Sequence, residues 1–199
     1  MLTKRRLSLN IFLIFFTECL IYFWAFWTTK TEFIFDKCAR NSGRASSAII
    51  LLVLLMIGFY GLGKIFNDIK KRETFQSLMI LFSINHLIHF FFVFNNFQSH
   101  SLNLKISENL HGFLTFISII SIPIIILGFK KLNIFIYTVI ILYLFNASYF
   151  ILKTFHSKIT MEHPAYHNQF GILIISLSLV YILYRILREI SQYYTKTST

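Results

Sequence analysis

Ser46-Ser-Ala-Ile-Ile-Leu-Leu-Val-Leu-Leu-Met-Ile-Gly-Phe-Tyr-Gly-Leu-Gly-Lys-Ile-Phe66 is the stretch whose reading decides the fold. It meets its first charge at Lys64, and a run of about 20 mostly apolar residues is what the hydrocarbon core of a bilayer requires. In that core every backbone N–H and C=O has to be bonded within the segment, so the run is read as a helix. Working outward, the same pattern recurs near 10–29, 75–95, 109–129, 132–152 and 168–187, which with 46–66 makes six spans. The expected fold is all-α: a polytopic membrane protein, a six-helix bundle forming one membrane domain over 1–199.

Composition agrees with this. The chain is 56% hydrophobic and 14% charged, with 24 Phe and 10 Tyr, against about 25% charged residues in a soluble domain. So little polar surface excludes a water-soluble domain, and the lipid bilayer is the expected partner. The formal charge of +11 does not point to nucleic acid, because the Lys and Arg sit in short connections rather than on a free basic face. Cys19 and Cys38 form neither a C-x-x-C motif nor a disulfide framework.

With the N-terminus placed inside by Lys4-Arg5-Arg6, most of the 19 Lys and Arg fall on one side, among them Lys64, Lys70, Lys71, Arg72, Lys130, Lys131, Arg185 and Arg188. The richer side is expected to be cytoplasmic, with both termini there and the protein in the plasma (inner) membrane. The first run has the charge order of a signal peptide, but it lacks a small-x-small cleavage site and continues through Trp24 and Trp27. It is therefore read as a retained anchor. The longer loops, 30–45, 96–108 and 153–167, all fall outside.

On this topology all seven histidines map to the outer half or the outer loops. His86 and His89 stand three apart on one helical face, and His111 opens the fourth span at a comparable depth. Imidazoles inside a membrane face the bundle interior or a watery cavity. They serve there either as ligands or as interhelical hydrogen-bonding groups, and the spacing allows both. A b-type haem takes two histidines from different helices, which makes His111, or a histidine from the 153–167 loop, the partner of His86 or His89. Zinc could instead accept His86, His89 and His111 together. In the last outer loop His156, Glu162, His163 and His167 could gather a divalent cation, the other reading being a solvated loop. Glu18, deep in the first span, has to be protonated or paired, and is a candidate for proton or ion coupling. Asn146 and Pro123 read as an interhelical hydrogen-bonding group and a tolerated kink.

Gly43-Arg44-Ala45 ahead of a Leu-rich helix, then Lys71-Arg72, then Leu87-Ile88-His89-Phe90-Phe91 closing a third helix together resemble the ferric-reductase-like transmembrane domain over roughly 43–152. That resemblance implies a six-helix, haem-bearing module for electron transport, with His89 or His86 at the outer ligand position of the third span. The chain departs from the family pattern at Thr74 and Phe75, where the inner ligand would stand. It departs again in 134–152, which has no histidine and carries Asn146 and Ser148 in the outer region. One outer haem b, differently ligated, or no haem at all is what the resemblance then leaves.

No Gly-rich phosphate loop, G-x-S-x-G or H-E-x-x-H occurs. The expected functions are a haem-binding redox protein, a small carrier or metal-handling protein, or an assembly subunit for a membrane or extracytoplasmic partner.

Overall fold

The structure is a computed structural model that describes residues 4–100, 110–159 and 166–197, with side chains described from Leu7 to Arg188 within those ranges. The order is α1 (Lys4–Thr28), a 3-10 turn (Thr31–Phe33), α2 (Ile34–Tyr60), α3 (Leu62–Asn67), α4 (Ile69–Ser99), α5 (Leu110–Leu127), α6 (Ile134–Ile159) and α7 (Tyr166–Thr197). All are helices, and six are long and apolar enough to cross a membrane. The chain is thus an all-α, multi-pass membrane protein.

Several helix boundaries differ from the hydropathy reading. The second span starts not near 46 but at Ile34, because residues 34–45 contain no proline and place their charges on one helical face, where Asp36 and Arg40 pair one turn apart. It ends at Tyr60 because Gly61 takes φ 73° and ψ 151°, a backbone region reserved for glycine. Likewise α6 runs to Ile159, so His156 lies in its last turns rather than in a loop.

Two compact units make up the chain: residues 1–50 with 73–130, and residues 51–72 with 131–199. In the first, α1 turns only Glu18 and Ala25 fully inward among its described residues, seven positions apart and so on one face. Large side chains such as Phe12, Phe16, Phe23 and Trp24 stand exposed, as suits contact with lipid. Ala25 packs with Ile34, Cys38, Ala39 and Phe92. Between α4 and α5, Gln76 Nε2 donates to the carbonyls of Ile126 (3.2 Å) and Phe129 (3.3 Å) near the end of α5. Ser83 donates to Ile120 O at 3.3 Å, next to Ile119, whose carbonyl loses its helical donor to Pro123.

In the second unit α6 packs on α7. Its buried Ile136, Ile140, Tyr143, Leu144, Ala147 and Ile151 form the stripe expected of an amphipathic helix. Gly171 lets Phe155 come close, since a Cβ there would sit 2.5 Å from its ring.

Asp68, in extended conformation, caps α4: its Oδ1 accepts from the N–H of Lys70 (2.9 Å) and of Lys71 (3.2 Å), while Oδ2 pairs with Lys71 Nζ. The Lys71 side chain and backbone hold this carboxyl below its usual range. A lowered value in the folded state means that the cap stabilises the helix above the unfolded value near pH 4, and that its contribution fades as pH falls through the folded value. Asp68→Ala is expected to speed amide exchange at Lys70 and Lys71 at neutral pH, with the difference from wild type shrinking in acid.

Candidate functional site

The candidate site is a polar seam within the first unit. Glu18 lies midway along the apolar stretch Leu7–Thr28 and is only 4% exposed. α2 brings Ser42 and Ser46, one turn apart, and α4 brings Asn85, all three buried. Ser42 Oγ donates to Glu18 Oε1 at 2.8 Å, and Asn85 Nδ2 donates to the same oxygen. Ser46 Oγ in turn donates to Asn85 Oδ1 at 3.3 Å, which fixes the amide's orientation. One carboxyl oxygen thus takes two donors. The other, Oε2, is buried and has no partner among the described residues.

His89 stands one turn beyond Asn85 and also faces α2. Its Cε1 would lie 3.1 Å from a Cβ at residue 43, so Gly43 is what lets the imidazole rest against the helix. His86 points further round α4. It is 7% exposed, packed against Phe82 (5.6 Å between ring centroids), Phe116 (6.2 Å) and His89 (5.3 Å), and its Nδ1 has no partner among the described residues. Carboxyl, hydroxyls and amide therefore form one hydrogen-bonded seam on α1, α2 and α4, and the His86–His89 pair follows it along α4. Sidechain groups of this kind in hydrocarbon are costly unless they bond one another or serve a ligand.

His111 is exposed at the start of α5. Phe116, five residues further along, stacks on Phe90 (4.3 Å between ring centroids), so helix rise puts His111 about 7 Å beyond that level. His100 is exposed, its Nδ1 at 2.9 Å from Asn96 O and its ring against Phe33. In the second unit His156 and His167 are exposed on α6 and α7, while Glu162 and His163 lie outside the described residues. Among the described residues no group of three or more His, Cys, Asp or Glu is placed to hold a metal ion.

The opposite side of α2 carries charge. Lys37 Nζ donates to Thr28 Oγ1 at 2.6 Å and lies 5.8 Å over the Trp24 ring, Arg40 pairs with Asp36, and Arg44 Nη1 donates to Asn41 Oδ1 at 3.0 Å. They line a cavity of about 400 Å³. Arg44 is two residues from Ser42, so this cavity reaches the depth of Glu18.

Glu18, His86 and His89 are legible in the sequence, whereas Ser42 and Asn85, the groups that bond Glu18, and Ser46, which bonds Asn85, are not singled out there. The available signals were the Ser42-x-x-x-Ser46 spacing and the placement of Asn85 beside His86. No family model, curated protein or solved structure matches the chain. What fold and site define together is a class: a multi-pass α-helical membrane protein with a buried carboxyl–hydroxyl–amide seam.

Proposed function

We propose that this chain is a small membrane carrier that couples movement of a small anionic solute to protonation of Glu18. The observation that carries the reading is the carboxyl itself, buried midway along a span, bonded through one oxygen and left open at the other. A fixed charge there would be costly, whereas a carboxyl that takes and gives up a proton is a coupling element. The cations on the other side of the same turns of α2 supply an electropositive cavity of about 400 Å³, suited to a small anion. His86 and His89 follow Asn85 along α4, and imidazoles are the kind of group that forms intramembrane proton relays. Both termini are assigned to the cytoplasmic side, with the basic connections.

The test is uptake into proteoliposomes under an imposed pH gradient, across a panel of small carboxylates and inorganic anions. Wild type is expected to accumulate at least one of them in response to the gradient. Glu18→Gln, which keeps the Oε1 acceptor, is expected to lose that response by about tenfold or more. Gradient-driven uptake equal in wild type and variant would refute the coupling role.

The neighbouring rings His86 and His89, with Phe82 and Phe116, support a second reading, in which His89 and His111 hold an outer haem b. Its sign would be a reduced b-type absorbance spectrum that disappears in His89→Ala.

A further inference from the structure

The second unit has a basic cavity that the carrier reading does not use. Gly61 ends α2 and turns the chain into α3, which places Lys64 beside α7. There Tyr181, Tyr184, Arg185 and Arg188 follow one another at helical spacing on one face, and together with Phe59 they line a space of about 540 Å³. The close approach depends on Gly58, since a Cβ there would fall 2.7 Å from the Tyr181 ring.

The cations in this space differ in their commitments. Arg185 gives its Nη1 to the carbonyls of Gly58 (3.1 Å) and Phe59 (3.4 Å) and its Nη2 to that of Tyr60 (3.0 Å), which are the last carbonyls of α2. It thereby offsets the negative end of the α2 dipole, which would otherwise repel an anion. Lys64 and Arg188 are exposed, and among the described residues no acidic side chain lines the space. Arg188 closes the apolar stretch Tyr166–Arg188, so the cavity stands where a span meets the membrane surface, the level of lipid headgroups. Tyrosines beside two uncommitted cations at that level suit a ligand with a phosphate at one end and apolar chains at the other.

We propose that this cavity is a phosphate-binding site at the membrane surface, in which Lys64 and Arg188 hold a phosphate ester while Phe59, Tyr181 and Tyr184 flank the less polar part of the ligand. A lipid headgroup and a free phosphate share this chemistry, and the test separates them.

Thermal unfolding of the detergent-purified full chain is followed while phosphatidylglycerol, phosphatidylcholine or inorganic phosphate is added. Phosphatidylglycerol is expected to raise the unfolding temperature of wild type and phosphatidylcholine to do so much less. In Lys64→Gln/Arg188→Gln the half-saturating concentration is expected to rise roughly tenfold or more. A comparable shift with inorganic phosphate, lost in the double variant, assigns the site to free phosphate; a shift with the lipid alone assigns it to a headgroup. Absence of any shift in wild type, or an equal shift in the variant, overturns the proposal. Should the double variant fail to fold, Lys64→Gln alone, an exposed change, is read against Lys64→Arg. Weakened binding in the first with retention in the second supports the site, and equal binding in both overturns it.

Discussion

Replacing Glu18 by alanine is expected to destabilise the protein by about 2 kcal/mol, whereas glutamine at the same position costs much less. In the alanine variant the Ser42 hydroxyl and the Asn85 amide, both buried, lose their common acceptor. Interhelical hydrogen bonds within membranes contribute about 0.6 to 1.7 kcal/mol each, less than the cost of a stranded donor in a water-soluble core, because the unfolded chain in the membrane also finds partners. Two such losses and the volume left by the side chain add up to the stated figure. Glutamine keeps an oxygen for both donors and changes only the atom that has no partner. Unfolding in mixed detergent micelles should therefore rank the proteins wild type, Gln, Ala, with the larger gap before Ala. Equal losses for Gln and Ala would mean that the charge of Glu18, and not its acceptor geometry, holds the seam together.

Arg185→Met is expected to cost about 2 to 3 kcal/mol, because one guanidinium serves three carbonyls at the end of α2 and bonds from a charged donor are worth about 1.5 to 3 kcal/mol. Methionine keeps much of the apolar stem and removes every donor. Lysine should recover only part of the loss, since an ammonium cannot reproduce the planar spread of the guanidinium. Arg188→Met, one turn further along and exposed, is the comparison and should change stability by less than about 0.5 kcal/mol. Thermal unfolding reads the difference, and amide exchange in the last turn of α2 should quicken only in the Arg185 variants. Equal effects at 185 and 188 would show that positive charge at this surface matters and that the bonds to α2 do not.

These two sites also show how far the amino-acid sequence can be read. The six spans were legible because hydrocarbon imposes long apolar helices whatever their neighbours are. The extension of α2 back to Ile34 was not, since hydropathy marks where a chain stops being apolar and not where it stops being helical. Asp36, Lys37, Arg40 and Arg44 lower the hydropathy while keeping to one helical face. Glu18 and the pair His86 and His89 stood out because charged and imidazole groups are rare in such surroundings. Ser42, Ser46 and Asn85 did not, because serine and asparagine are common in membrane helices, and their role arises only when three separate segments meet. Arg185 looked like an ordinary basic residue of a cytoplasmic end. Its bonds to α2 join residues 125 to 127 positions apart, a relation no local pattern encodes. The conformation at Gly61 was legible in principle, as glycine after an apolar run often ends a helix, but that run contains Gly58 and Gly63 as well.

The central claim is that Glu18 exchanges a proton from within the span. Infrared difference spectroscopy of the reconstituted protein, taken between about pH 4 and about pH 9, a range that brackets an ordinary glutamate, reads this directly through the carbonyl stretch of a protonated carboxyl. The account predicts such a band in wild type, varying with pH and absent from Glu18→Gln, and altered in shape when Ser42 or Asn85 is replaced by alanine. Identical difference spectra for wild type and Glu18→Gln would contradict it.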